Sequence, residues 1–385
     1  MSFLRVLLIA IFLTASLRLL PLPFSDTVRH ALLAFVIFLS GASRRSIDLS
    51  FIKIISPILV FFIGATILDV VLMRFGFYSQ VFWAQLCTAI LVANTVYKLT
   101  VKESKNLIIY CVVILLLQLI FLTLQPRVFA SLGHLIGIAD PFVLYGKKLE
   151  RIYYAYYQAN GAAYTIFYMF LAWFAIRQRM SISSFEFILV ASILFVLALL
   201  TGGRGVLLLM VTFVLIWPLA FKKTRTVTAV VLYIGVMLFS YLIYALVSDL
   251  YYSREVSNAE RLGAIHNYFN YIMSNPLHGM GIDYLRFRVE EKGDKPSHVF
   301  FIEVLGTYGI LIGALVLFMI MNFLILRPRL YSLKLIGGFA LMVGFFNNTL
   351  LTTWAFIPLV VPVLIATQNE LRRNAPSNYD LPTSI

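Results

Sequence analysis

The sequence predicts an all-α, polytopic membrane protein of about twelve transmembrane helices, and two observations support this fold class. Of the 385 residues, 61% are hydrophobic and only 12% are charged, whereas soluble domains contain about 25% charged residues. The apolar residues form almost uncharged runs, many of them close to the ~20 residues with which a helix crosses a ~30 Å hydrocarbon layer. We therefore expect residues 1–385 to form a single integral membrane domain.

The predicted spans follow the apolar runs in chain order. They cover residues 3–20, 30–43, 54–73, 80–97, 106–124, 162–176, 184–201, 206–221, 227–247, 299–325, 333–350 and 354–368. The first run has the position of a signal peptide, but it lacks a small-residue cleavage site and Arg18 interrupts its end. We interpret it as a span that is retained.

The basic residues predict that both termini are cytoplasmic. With the N-terminus inside, seventeen Lys and Arg residues fall on the inner side, and only four fall in short outer loops, Arg18, Arg29, Arg74 and Arg204. Short loops rich in Lys and Arg stay in the cytoplasm. The bias orients the chain and accounts for much of its net charge of +14, so nucleic acid is not needed as a partner.

Two long segments, 125–161 and 248–298, are predicted to lie on the periplasmic side. All five histidines fall in the outer half of this topology: His30, His134, His266, His278 and His298. Long loops on a helical scaffold commonly carry binding and catalytic residues. Chemistry is therefore expected on this face. Asp69, near the outer end of the third span, is expected to reach water or a neighbouring arginine.

The first long segment ends in a cluster of aromatic residues. Four tyrosines lie within residues 152–157, directly after Arg151, and the sequence Asn160-Gly-Ala-Ala leads into the sixth span. Such tyrosines suit an aromatic belt at the membrane interface or a surface on which sugars stack. Arg151 adds a cation to this outer face.

Arg204 occupies a tight reversal between two spans, Thr201-Gly-Gly-Arg204-Gly. The glycines allow the backbone to approach a ligand closely, and a guanidinium group binds phosphate through two parallel hydrogen bonds. Positive charge in a short outer loop opposes the orientation rule, which favours a functional role for Arg204.

The second long segment predicts an amphipathic helix that starts at Ser257 or Asn258 and ends at Asn275-Pro276. Its apolar residues recur at helical spacing: Leu262, Ile265, Phe269, Ile272 and Met273. Arg261 falls at the edge of that face, either as an arginine that extends to the headgroup layer or as a ligand for an anion.

The rest of this segment leads to the tenth span. Glycines predict a turn at 275–281 in which His278 is a surface residue, and the mixed charges that follow are typical of a solvated face. His298 lies on or just before the first turn of the span. There it either anchors the helix end or accepts a proton at neutral pH.

Together these motifs resemble the bacterial O-antigen polymerase and O-antigen ligase family. The matching pieces are Asn160-Gly-Ala-Ala, Thr201-Gly-Gly-Arg204-Gly, Asn275-Pro-x-x-Gly-x-Gly281, and His298 followed by a helix with Gly309 and Gly313. They cover roughly the last 230 residues. Val299 departs from the family, many of whose members have asparagine after this histidine.

The resemblance implies an O-antigen polymerase, a metal-independent glycosyltransferase of the bacterial inner membrane with its active site facing the periplasm. It would need no cofactor. Its partners would be oligosaccharide donors and acceptors on undecaprenyl diphosphate, membrane lipids and a chain-length regulator. Arg204 and Arg261 would hold the donor diphosphate, supported by Arg151, and catalytic His298 would engage the acceptor hydroxyl.

Two other functions remain open at this level. An O-antigen ligase would use the same donor but transfer the glycan to lipid A-core, and the residue after His298 favours the polymerase because polymerase acceptor regions vary widely. A polysaccharide transporter or flippase would place its cations along a cavity through the membrane midplane. In this sequence the cations gather at the outer mouth instead.

Overall fold

The computed structural model consists of helices joined by short connections, with one β-hairpin. It describes residues 2–19, 26–41, 49–124, 138–144, 147–152, 154, 159–178, 180–220, 226–227, 230–231, 255–290, 299–328, 330–345, 357 and 360.

Five helices form the N-terminal part: α1 (Ser2–Leu13), α2 (Asp26–Gly41), α3 (Leu49–Val71), α4 (Phe77–Tyr97) and α5 (Val101–Leu124). Helix α1 packs against α5 and α2, and α2 packs against α4. A capping box starts α5, because the Thr100 hydroxyl accepts from the Glu103 N–H and the Glu103 carboxylate accepts from the Thr100 N–H. These reciprocal bonds satisfy two backbone donors at the helix start.

A two-stranded antiparallel hairpin lies within the first predicted extramembrane segment. Its strands are β1 (Ile138–Leu144) and β2 (Lys147–Ile152), and Ala139 pairs with Arg151. The register shifts between Ala139 and Phe142, where Pro141 has no N–H to donate to a ladder. Outside this hairpin the described elements are helical, as predicted.

Three helices follow: α6 (Ala159–Arg177), α7 (Ser184–Leu200) and α8 (Arg204–Ile216). Every residue of α6 from 162 to 176 is buried, as expected for a helix that is apolar on all sides. Helix α6 packs against α5, α7 and α8. Its Phe174 ring meets Phe213 of α8 edge to face, with ring centroids 4.9 Å apart. Helix α6 therefore lies at the centre of the helical core.

The C-terminal part contains α9 (Glu255–Ser274), α10 (Ile282–Glu290), α11 (Phe300–Met321) and α12 (Tyr331–Met342). A π-helical turn at Asn322–Leu326 continues α11 and packs against α12. Helix α9 packs against α11, α10 against α4, and α12 against α6 and α8. The C-terminal part thus packs against the N-terminal helices at α3 and α4 and against the middle helices at α6 and α8.

Three helices in the described part of the chain are long and apolar enough to cross a membrane, Phe77–Tyr97, Val101–Ile120 and Phe300–Leu326. Shorter apolar helices occur at Phe3–Leu13, Thr27–Ser40, Phe62–Val71, Ser184–Leu200, Arg204–Leu219 and Tyr331–Met342. The predicted helical membrane protein is confirmed at this level, whereas the number of twelve spans and their orientation stay predictions. The predicted spans 227–247 and 354–368 lie almost entirely outside the described residues.

Two ion pairs join residues that the charge distribution assigns to the cytoplasmic side. Arg5 of α1 contacts Glu103 of α5 at 3.1 Å. Lys105 of α5 contacts Glu186 of α7 at 2.6 Å. The predicted cytoplasmic ends of α1, α5 and α7 therefore lie close together, although these helices are far apart in sequence.

Candidate functional site

The loop that carries Arg204 is tightly folded and ends at the first residue of α8. Thr201 caps the end of α7, and its hydroxyl donates to the Ala198 carbonyl at 2.6 Å and accepts from the Gly203 N–H at 3.2 Å. Gly202 has φ +63°, a conformation that favours glycine. The loop therefore places partly buried Arg204 at the N-terminus of an apolar helix.

This loop packs directly against the start of α6. A β-carbon at Gly203 would lie only 2.6 Å from the β-carbon of Ala163, so glycine is needed for the close approach. Ala163 belongs to the Asn160-Gly-Ala-Ala motif that opens α6. Two motifs that are about 40 residues apart in sequence are thus brought into contact at one end of the helical core.

Strand β2 leads to the same end of the core. Arg151 lies on β2, and three residues later Tyr154 is fully buried and donates its hydroxyl hydrogen to the Leu197 carbonyl of α7 at 3.0 Å. Burial raises the pKa of the Tyr154 phenol. Tyr154 is therefore a packing residue, and the prediction of an interfacial or sugar-stacking role is wrong for this member of the tyrosine cluster.

Helix α9 carries Arg261 near its start, as predicted. Only part of its predicted apolar face packs against the protein. The buried residues Ala264, Tyr268 and Ile272 form the stripe next to α11. By contrast Leu262 is 62% exposed and Phe269 is 52% exposed. Of the predicted apolar residues, Ile272 is therefore buried within the protein, whereas Leu262 and Phe269 are exposed on its surface.

The turn after α9 interlocks with a kink in α11. Gly309 has φ +78° and ψ 174°, which interrupts the helix. The Met280 and Gly281 N–H groups donate to carbonyls of α11, at Gly306 and Thr307, and the Ile310 N–H donates to the Pro276 carbonyl at 2.6 Å. The turn thus supplies backbone partners that the kinked helix lacks.

Arg74 ties the turn between α3 and α4 to the same segment. One of its terminal nitrogens donates to the Gly279 carbonyl at 2.6 Å, and the other donates to the Asp69 carboxylate at 2.9 Å. The His278 Nδ1 atom lies 3.2 Å from the first nitrogen. The prediction that Asp69 reaches a neighbouring arginine is confirmed. His278 is partly buried and bonded, rather than a simple surface residue.

Asp283 has a structural role that the sequence pattern concealed. Its carboxylate accepts from the Gly76 and Tyr78 N–H groups at 2.8 Å, from the Ser79 N–H at 3.1 Å, and from the Ser79 hydroxyl. It therefore caps α4 from α10. The predicted solvated, mixed-charge face is wrong at this residue, because no local signal relates Asp283 to the distant start of α4.

Replacing Asp283 with alanine should destabilise the protein, because several donors at the start of α4 would lose their acceptor at once. We expect a loss of about 1–2 kcal/mol in the free energy of unfolding, as for other lost helix caps. Thermal unfolding of the purified protein measures the effect. The control is Gln80→Ala, which changes an exposed residue in the same first turn of α4. Equal midpoints for the two variants would contradict the capping role.

Three predicted site residues are described only in part or not at all. The structure describes the backbones of Arg151 and Arg261 but not their side chains, and His298 lies outside the described residues. Val299, which follows His298, is the N-cap of α11, with φ −120° and ψ 106°. A helix begins directly after His298, as the sequence predicts.

The described contacts thus place Arg204 in a group formed by α6, α7, α8 and Tyr154, and the 275–281 turn in a second group with α3, α4 and α11. Among the described residues no three His, Cys, Asp or Glu side chains are placed to hold a metal ion. The fold defines a helical protein with apolar helices of membrane-spanning length. No protein-family model and no curated protein matches the chain.

Proposed function

We propose that this protein is an O-antigen polymerase of the bacterial inner membrane. In this role it moves a glycan from undecaprenyl diphosphate onto another lipid-linked repeat unit at the periplasmic face. The observation that carries the proposal is the setting of Arg204. This arginine opens α8 from a glycine loop that is packed against the Asn160-Gly-Ala-Ala motif.

An anionic headgroup suits this setting for two reasons. The guanidinium group carries a permanent charge and binds phosphate oxygens in pairs. The first N–H groups of α8 have no acceptor within the helix, and they favour negative charge at its N-terminus. Arg204 therefore supplies a fixed cation where the diphosphate of a lipid lying in the outer leaflet would arrive.

In the proposed reaction, the bond between the donor sugar and its diphosphate breaks while the acceptor hydroxyl oxygen bonds to the same sugar carbon. Negative charge builds up on the leaving diphosphate, and Arg204 and Arg261 stabilise it, with support from Arg151. His298 takes the proton of the acceptor hydroxyl as a general base, a contribution of roughly 10²–10⁴ in rate. The chemistry needs no metal ion.

Deletion of the gene followed by glycan analysis tests the proposal. We expect cells that carry one repeat unit on lipid A-core and no long chains, because single units can still be ligated. Loss of all glycan from lipid A-core, with long lipid-linked chains remaining, would instead identify a ligase. An unchanged ladder of chain lengths would reject both activities. Re-expression of the intact chain is the control and should restore the long chains.

A further inference from the structure

A cleft of about 590 Å³ opens between the turn that joins α3 to α4 and the segment that joins α9 to α10. Residues 72–76 line one side, and Asn275, His278 and Tyr284 line the other. Its volume falls within the roughly 300–1,000 Å³ of small-molecule sites. The lining segment follows the helix of Arg261 and precedes His298 in the chain. The cleft is thus distinct from the loop that carries Arg204.

The charged side chains at the cleft are already engaged by the protein. Arg74 directs its two terminal nitrogens at Asp69, His278 and Gly279, and its Nε atom is buried. Asp283 accepts backbone hydrogen bonds from the start of α4 with both of its oxygens. These charges build the cleft wall, so an anionic ligand would gain little from them.

The polar groups of the cleft that are open to a ligand include both donors and acceptors. The His278 Nδ1 atom contacts the Arg74 guanidinium group and the Gly279 carbonyl, so among the described contacts Nε2 is the ring nitrogen left for a ligand. The Gly279 carbonyl, 3.0 Å from this Nδ1, already accepts from Arg74. Asn275 directs its amide nitrogen at the Met280 sulfur at 2.7 Å, which leaves its amide oxygen as an acceptor.

Tyr284 adds an aromatic surface to these groups. Its side chain is 39% exposed, and its ring meets the Tyr271 ring edge to face at 6.3 Å between centroids. This described contact involves the ring and not the hydroxyl. An aromatic ring beside groups that donate and accept hydrogen bonds matches the chemistry of a sugar, which has apolar C–H faces and a rim of hydroxyls.

We infer that this cleft binds an uncharged sugar unit. Tyr284 packs against the sugar ring, while His278 Nε2 forms a hydrogen bond with one sugar hydroxyl and Asn275 Oδ1 accepts from another. This inference rests on the proposed function, in which the cleft is a subsite for the lipid-linked glycan. It holds the sugars, and the arginines hold the diphosphate.

Saturation-transfer NMR on the full chain in lipid nanodiscs tests this inference. Nanodiscs avoid detergents with sugar headgroups, which would compete for the cleft. The probes are lactose, N-acetyllactosamine and chitobiose, with inorganic pyrophosphate as the competitor. We expect at least one disaccharide to bind. Its dissociation constant should rise about tenfold or more in Tyr284→Ala, because both the ring contact and a hydrogen bond are lost.

Matched variants separate the possible outcomes. Tyr284→Phe keeps the ring and should weaken binding only a few-fold, and it decides the question if Tyr284→Ala fails to fold. Tyr331→Ala removes another exposed tyrosine, 51% exposed at the start of α12, and should leave binding unchanged. The inference is overturned if no disaccharide binds, if both Tyr284 variants bind normally, or if pyrophosphate displaces the sugar.

The Arg204→Ala variant distinguishes this inference from the proposed function. Disaccharide binding should survive in Arg204→Ala because its loop packs with α6 and not with the cleft. A normal glycan ladder in that variant would reject the role of Arg204 without affecting the cleft. Lost disaccharide binding in Arg204→Ala would overturn the separation of the two sites.

Discussion

Replacing Arg204 with alanine is expected to remove long-chain glycan from the cells while the protein still inserts in the membrane. The proposed reaction builds charge on a diphosphate leaving group, and Arg204 offers a fixed cation to it. Loss of one such preorganised donor typically costs about 10²–10³ in rate. Gel separation of the glycan by chain length measures the effect, with immunoblotting of the membrane fraction as the measure of insertion.

Two further variants test whether the effect of Arg204→Ala is specific to a guanidinium group at this position. Arg204→Lys keeps the charge but loses the planar pair of donors, so we expect shortened chains rather than a wild-type ladder. Arg29→Ala removes another arginine that is predicted to lie on the outer side, at the start of α2, and should leave the ladder intact. If Arg29→Ala matched Arg204→Ala, a general effect of outer charge would explain both.

The same assay extends to Arg261→Ala and His298→Ala. Both are expected to abolish long chains, since Arg261 would share the diphosphate and His298 would take the acceptor proton. Normal ladders in Arg204→Ala, Arg261→Ala and His298→Ala together would contradict the whole site assignment. A normal ladder in one variant alone would remove that residue from the site and leave the others in place.

Local signals in the sequence predicted the helices well. The predicted boundaries 162–176 and 184–201 compare with observed helices at Ala159–Arg177 and Ser184–Leu200. The amphipathic helix was expected to end at Asn275-Pro276, and α9 ends at Ser274. Such ends are determined by neighbouring residues, because apolar periodicity, caps and proline act within a turn or two.

The cleft wall was not predictable in the same way. Asp283 caps a helix whose start is 207 positions away in the chain, and Arg74 bonds to a turn 205 positions away. In the sequence each looks like an ordinary loop charge. The Arg74–Asp69 pair is local, but the distant partners of Arg74 and Asp283 are reached only through tertiary packing, so the sugar cleft could not be inferred from spacing.

The faces of α9 show a second limit of sequence reasoning. Of the residues that the apolar spacing selects, Ile272 is buried, whereas Leu262, Phe269 and Met273 are exposed. The stripe that packs against α11 includes Tyr268, whose ring would lie 3.1 Å from a β-carbon at Gly306. Glycine on α11 makes room for this aromatic ring, and that match of shapes depends on two helices at once.

Replacing Gly279 or Gly309 with alanine is expected to prevent stable folding of the C-terminal part. Both residues have positive φ, +63° and +78°, which alone costs about 1–3 kcal/mol for a residue with a β-carbon. A β-carbon at Gly279 would lie 2.5 Å from the Gly309 nitrogen, and one at Gly309 would lie 2.6 Å from the Leu277 carbonyl carbon. Backbone atoms on both sides leave no room to relax.

Because the two glycines are on opposite sides of one contact, either substitution should separate the 275–281 turn from α11. The measurements are the yield of monodisperse protein and its thermal midpoint. Gly338→Ala in α12 is the matched control, since a β-carbon there meets nothing within 4 Å, and alanine in a helix is favoured by roughly 1 kcal/mol. We expect normal yield and an equal or higher midpoint for it. A wild-type midpoint in Gly309→Ala would mean that the kink is not fixed by the turn, and the cleft beside it would lose its structural basis.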